Sequence, residues 1–120
     1  MPFSEHWTKV ARAKYEELRE KAEQSLRNRR KPSKKRQKTK STKSEGLFEQ
    51  IHKTLRLLLE NPKHPGLNTH EYSRIENPYD SKQKVWEAYA QNRTPSAYRI
   101  FWCYGPGKGE ITIIDITPHS

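Results

Sequence analysis

Lys84-Val85-Trp86-Glu87-Ala88-Tyr89-Ala90, Ala97-Tyr98-Arg99-Ile100-Phe101-Trp102-Cys103-Tyr104 and Glu110-Ile111-Thr112-Ile113-Ile114-Asp115-Ile116-Thr117-Pro118-His119 are the three runs that decide the fold. Val, Ile, Tyr, Trp and Phe dominate them, the residue types that fit a pleated, half-buried surface. Gly105-Pro106-Gly107-Lys108-Gly109 separates the second run from the third, and a five-residue loop of this kind suits a hairpin. No helix follows that loop, so it is a turn and not a nucleotide-binding loop. The expectation is a three-stranded antiparallel meander carrying the core.

Two helical patterns precede it. Trp7, Ala11, Tyr15, Leu18, Ala22 and Leu26 recur at spacings of three and four, a narrow stripe suited to packing against one other helix. Ser4 can cap this helix, which would begin near Glu5 and fade before Pro32. Leu47, Phe48, Ile51, Leu55, Leu58 and Leu59 form a broader apolar face. Thr42 and Glu45 fit a capping box at its start, and Asn61-Pro62 ends it. His70 to Ile75 can add a short edge strand. The fold class is therefore α+β: one domain over 1–120, an antiparallel helix pair on an antiparallel sheet of three to four strands, with no strand before the first helix.

The net charge of +10 is not spread evenly. Residues 29–43 hold nine Lys or Arg and no acid, so the remainder is close to neutral. Residues 29–44 lack apolar side chains, and nothing in them offsets the entropy of ordering. This predicts a flexible basic loop between the helices. It is either a solvated linker or a polyanion-binding segment in which Arg29, Arg30, Lys34, Lys35 and Arg36 meet RNA phosphates. The single cysteine, Cys103, excludes an internal disulfide. No apolar run approaches a membrane span and no signal-peptide core follows Met1, so a cytoplasmic protein without membrane contact is expected. His64 and His70 sit six apart without Cys partners, which does not make a zinc site. No metal and no cofactor is implied.

Side chains alternate along a strand. Tyr98, Ile100, Trp102 and Tyr104 share one face of their run, which should meet the helices. Arg99 shares the other with Phe101 and Cys103. If Trp86 also points inward, Glu87 and Tyr89 stand beside Arg99, and His119 lies on the same face at the strand end. A one-residue slip would invert this arrangement. Such a face suits ribonucleolytic cleavage. Arg99 would hold the phosphate through its planar fork. Glu87 would act as base or orient Arg99, and His119 would pass a proton. Lys84, Arg93 and Arg74 would hold flanking phosphates. The plainer alternatives are an ordinary cross-strand ion pair between Arg99 and Glu87, and a frayed segment around His119. The aromatic residues are more often core than base-stacking platforms.

At these residues the chain resembles the RelE/ParE superfamily of bacterial toxins from toxin–antitoxin pairs. The resemblance rests on Glu60-Asn61-Pro62, Pro65-Gly66-Leu67, Val85-Trp86-Glu87, Tyr98-Arg99-Ile100-Phe101 and Thr117-Pro118-His119, and covers roughly residues 45–119. It implies a helix pair on a small antiparallel sheet. It also implies metal-independent cleavage of mRNA, usually at the ribosome, by basic residues on the open sheet face. Arg99 and His119 match the family's site positions. A cognate antitoxin would neutralise the protein. ParE-like members share the fold and inhibit DNA gyrase instead. The chain departs from the pattern in its long basic insertion between the helices.

Overall fold

The computed structural model describes residues 3–30, 43–91 and 97–118, with the side chains of 29 and 30 left aside. Along the chain run β1 (Ser4–Trp7), α1 (Lys9–Arg30), α2 (Lys43–Glu60), a 3-10 turn (Pro65–Leu67), β2 (His70–Glu71), β3 (Trp86–Tyr89), β4 (Tyr98–Tyr104) and β5 (Glu110–Pro118). The class is α+β. The sheet has five strands in the order β1-β5-β4-β3-β2. It is mixed: β1 runs parallel to β5, and every other pair is antiparallel.

This corrects the three- to four-stranded antiparallel sheet and the absence of a strand before the first helix. Ser4 to Trp7 are extended because β5 offers them a free edge, with Ser4 beside Glu110 and Trp7 beside Ile113. His6 and Glu110 add a side-chain contact across the pair. Ser4 is consequently not a cap. Thr8 is: its hydroxyl accepts from the Ala11 amide at 3.1 Å and donates to the Ile114 carbonyl at 2.7 Å. A capping Thr satisfies an orphan amide of the first turn. Here the same hydroxyl also ties the helix start to β5, so α1 begins at Lys9 and not near Glu5.

The helices pair in opposite chain directions. The Ser25 hydroxyl donates to Glu45 at 2.9 Å, while Tyr15 meets Phe48 and His52 further along. Beneath them, Ala11 of α1 and Ile51, Leu55 and Leu58 of α2 pack on Ala88, Ile100, Trp102, Ile111, Ile113 and Ile116 of the sheet. Each Leu or Ile so buried contributes about 1.5–3 kcal/mol, which outweighs the weak intrinsic stability of an isolated helix. The alanines let α1 approach closely. Asn61 stops α2, its carboxamide oxygen accepting from the Lys63 amide at 3.2 Å. The capping role expected of Thr42 falls outside the described residues.

The far face of the sheet is also covered along much of its length. Residues 72–85 cross it. The Tyr72 ring lies 4.5 Å from that of Phe101, and the Tyr79 hydroxyl is 2.8 Å from that of Thr112. Buried Asn77 holds the segment folded, accepting from the Tyr79 amide at 2.9 Å. Val85, Phe101, Cys103 and Thr112 are buried as a result. Cover thins towards Tyr89, Arg99 and Thr117, which stay partly exposed. Among the described residues, no helix is long and apolar enough to cross a membrane.

Candidate functional site

The site lies where that cover ends. β3 and β4 pair with Tyr89 opposite Arg99 and Glu87 opposite Phe101. Opposed residues in an antiparallel pair point to the same side, so Glu87, Tyr89, Arg99 and Phe101 share the face away from the helices. Trp86, Ala88, Ile100 and Trp102 take the other face because their size and apolarity fill the core there.

Glu87 and Arg99 are diagonal neighbours, and an Arg99 terminal nitrogen donates to the Glu87 carboxylate. The side chains are 7% and 11% exposed, so little water screens the pair. The guanidinium carbon lies 5.0 Å from the Phe101 ring centre and 5.8 Å from that of Tyr72. Within about 6 Å an aromatic face attracts a cation, so two rings and a carboxylate define where this guanidinium stands. Its Nε is buried and finds no acceptor among the described residues. Of the whole Arg99 side chain, 11% remains exposed.

Tyr89 completes the centre. Burial, and then the neighbouring Glu87 carboxylate, push the Tyr89 pKa up, with the Arg99 charge opposing in part. The phenol therefore keeps its proton at neutral pH. Glu87 is ion-paired to Arg99 beside Tyr89 and is almost fully enclosed. It can hold Arg99 and Tyr89 in place; it is poorly situated to reach a substrate hydroxyl.

The sheet brings together three of the residues expected at the site: Glu87, Tyr89 and Arg99. Lys84 does not join them. Its ammonium lies 5.7 Å from the Trp86 ring centre and 3.7 Å from the Glu71 carboxylate, at the other end of β3. Arg74 is exposed on the covering segment. His119, Arg93, Lys34, Lys35 and Arg36 lie outside the described residues, as do the side chains of Arg29 and Arg30. Two residues belong to the site without having been expected there. Tyr72 flanks the guanidinium. His70 on β2 pairs directly opposite Glu87, and its ring meets Tyr89 edge to face at 6.0 Å. The signal available for His70 was its place in a short extended segment; its partner strand comes only from the tertiary structure. Among the described residues, no group of three or more His, Cys, Asp or Glu side chains is arranged to hold a metal ion.

A scan of protein-family models finds no match to this chain, and neither the curated proteins nor the solved structures contain one.

Proposed function

We propose that this chain is a RelE/ParE-type toxin that cleaves mRNA without a metal ion and so blocks translation in the cytoplasm. The observation that carries this reading is a guanidinium held by a carboxylate and two aromatic rings, partly exposed, on the sheet face turned away from the helices. Arginine keeps its charge when partly buried and matches two phosphate oxygens with its planar fork. A cation fixed before substrate arrives stabilises the extra negative charge that phosphate acquires when the ribose 2′-hydroxyl attacks it. The nine basic residues of 29–43 add sequence-independent affinity for RNA. A cognate antitoxin holds the protein inactive until needed.

Induction of the chain in a bacterial host, with reporter mRNA followed by primer extension, tests the reading. Growth arrest with discrete mRNA cleavage supports it. Arg99→Lys should abolish cleavage while leaving a folded protein, because a lysine keeps the charge but not the fork. A second reading draws on the same residue. With 11% of its side chain exposed and a carboxylate already in hand, Arg99 also suits a purely structural role. The protein would then be a non-catalytic binder of this fold, acting on RNA, DNA or a protein such as gyrase. Growth arrest with intact mRNA favours that reading.

A further inference from the structure

We propose that His70 is the general base of this site and that Glu87 is only a positioning residue. The inference rests on the ribonuclease reading above. Its basis is placement. β2 is an edge strand, so His70 is exposed where the other members of the site are enclosed. Its backbone pairs with Glu87, and its ring touches Tyr89, the immediate cross-strand neighbour of Arg99. The imidazole therefore stands one side chain from the guanidinium, on the side open to solvent.

Among the described residues of the site, the other candidates for the proton are enclosed. The Glu87 carboxylate binds Arg99, and the residue is 5% exposed. Tyr89 holds its proton more firmly than a free phenol. The groups facing His70 from β3 are Glu87 and Tyr89, with Arg99 behind them on β4. On its own strand, Glu71 turns to the opposite face, where it meets Lys84. Histidine is the side chain whose ordinary titration range spans neutral pH, so it is suited to accept and release a proton there.

The step balances without an oxidant or metal. Neutral His70 accepts the 2′-hydroxyl proton as that oxygen bonds to phosphorus. The bond from phosphorus to the 5′-oxygen breaks, and a water molecule protonates the departing oxygen. Arg99 stabilises the charge on the phosphorus oxygens throughout. The products are a 2′,3′-cyclic phosphate and a 5′-hydroxyl, and His70 returns its proton to solvent.

The test uses the full chain and a short mRNA, free and on programmed ribosomes, in single-turnover cleavage from pH 5.5 to 8.5. Wild type should show a rate that rises with pH along an acidic limb. His70→Gln should slow the chemical step by about 10²- to 10⁴-fold, leave apparent RNA affinity within about threefold, and erase that limb. Added imidazole should restore part of the rate to His70→Ala. Melting curves matching wild type show that both variants are folded, as an exposed edge residue allows. If His70→Gln keeps the rate and the limb while wild type cleaves, His70 is not the base and only the present inference fails. If folded wild type cleaves neither free nor ribosome-bound mRNA, the ribonuclease reading fails and this inference with it.

Discussion

Truncating Arg99 should destabilise the protein as severely as a core deletion. Arg99→Ala leaves the Glu87 carboxylate, 7% exposed, without its counter-charge. Removing one member of a buried pair costs about 3–5 kcal/mol, because the survivor stays enclosed without its counter-ion. A domain of this size has a total stability of about 5–15 kcal/mol, so a large share is lost. With a urea dependence of about 1.5 kcal/mol per molar, the unfolding midpoint should fall by about 2–3 M. Arg99→Met combined with Glu87→Leu removes both charges and should recover most of the loss. A residual of about 1 kcal/mol should remain, because the replacement side chains do not fill the site as the original pair does. Urea titrations followed by Trp fluorescence measure each protein, and the coupling energy comes from the cycle completed by the single Arg99→Met and Glu87→Leu variants. A midpoint shift under about 0.5 M for Arg99→Ala would refute the buried-pair description. The guanidinium would then be solvated and free, and its loss in a toxicity assay would report function directly. If the large shift is seen, absence of toxicity in Arg99→Ala says nothing about catalysis, and Arg99→Lys becomes the informative variant.

Alkaline pH should expose the buried thiol. Burial pushes the Cys103 pKa up to about 11 from an ordinary 9.0. The folded state holds this proton more tightly than the unfolded chain, so stability is full below pH 9 and falls as pH rises through 11. The loss should approach about 2–3 kcal/mol, at about 1.36 kcal/mol per pKa step. Denaturant titrations at pH 8 and 10.5 measure it, and Cys103→Ala should show a smaller drop over that interval. Tyr15, Tyr89 and Tyr104, whose pKa values burial raises, keep a further decline above pH 10 in both proteins. Thr8→Ala should cost more than an ordinary cap, about 2 kcal/mol instead of about 1, since the hydroxyl also reaches the Ile114 carbonyl. Thr8→Ser, which keeps both hydrogen bonds, should stay near wild type in thermal melts.

How far the sequence could be read depended on the range of the interactions involved. Alternation in Tyr98 to Tyr104 placed Arg99 opposite the core-facing Trp102, because a period of two leaves only two choices. The stripe from Leu47 to Leu59 likewise identified α2, whose bounds are Lys43–Glu60. β1 was illegible for the opposite reason. Ser4-Glu5-His6-Trp7 has no strand pattern of its own, and it is extended because a partner lies at β5. Ser4 and Thr8 are equally good capping residues in isolation; the pairing of β1 selects Thr8. The cover over Phe101 and Cys103 comes from an irregular segment whose path is set by Asn77 and Tyr79, which carry no periodic signal. His70 was weighed as a metal ligand and dismissed for want of cysteines. Its neighbours, Glu87 and Tyr89, are a carboxylate and a phenol far away in sequence.

The parallel seam between β1 and β5 has a bearing on when the sheet, and with it the candidate site, is completed. The His6–Glu110 contact spans 104 residues. A ribosome must therefore deliver almost all of the described chain before its first strand finds a neighbour. Pairings this distant in sequence form late and slowly. Until β5 emerges, Trp102 and Ile100 lack the isoleucines that pack around them, and β4 has no strand on its far side. A nascent chain in that condition cannot hold Arg99 in its finished setting, so the site is assembled only once β5 has been made.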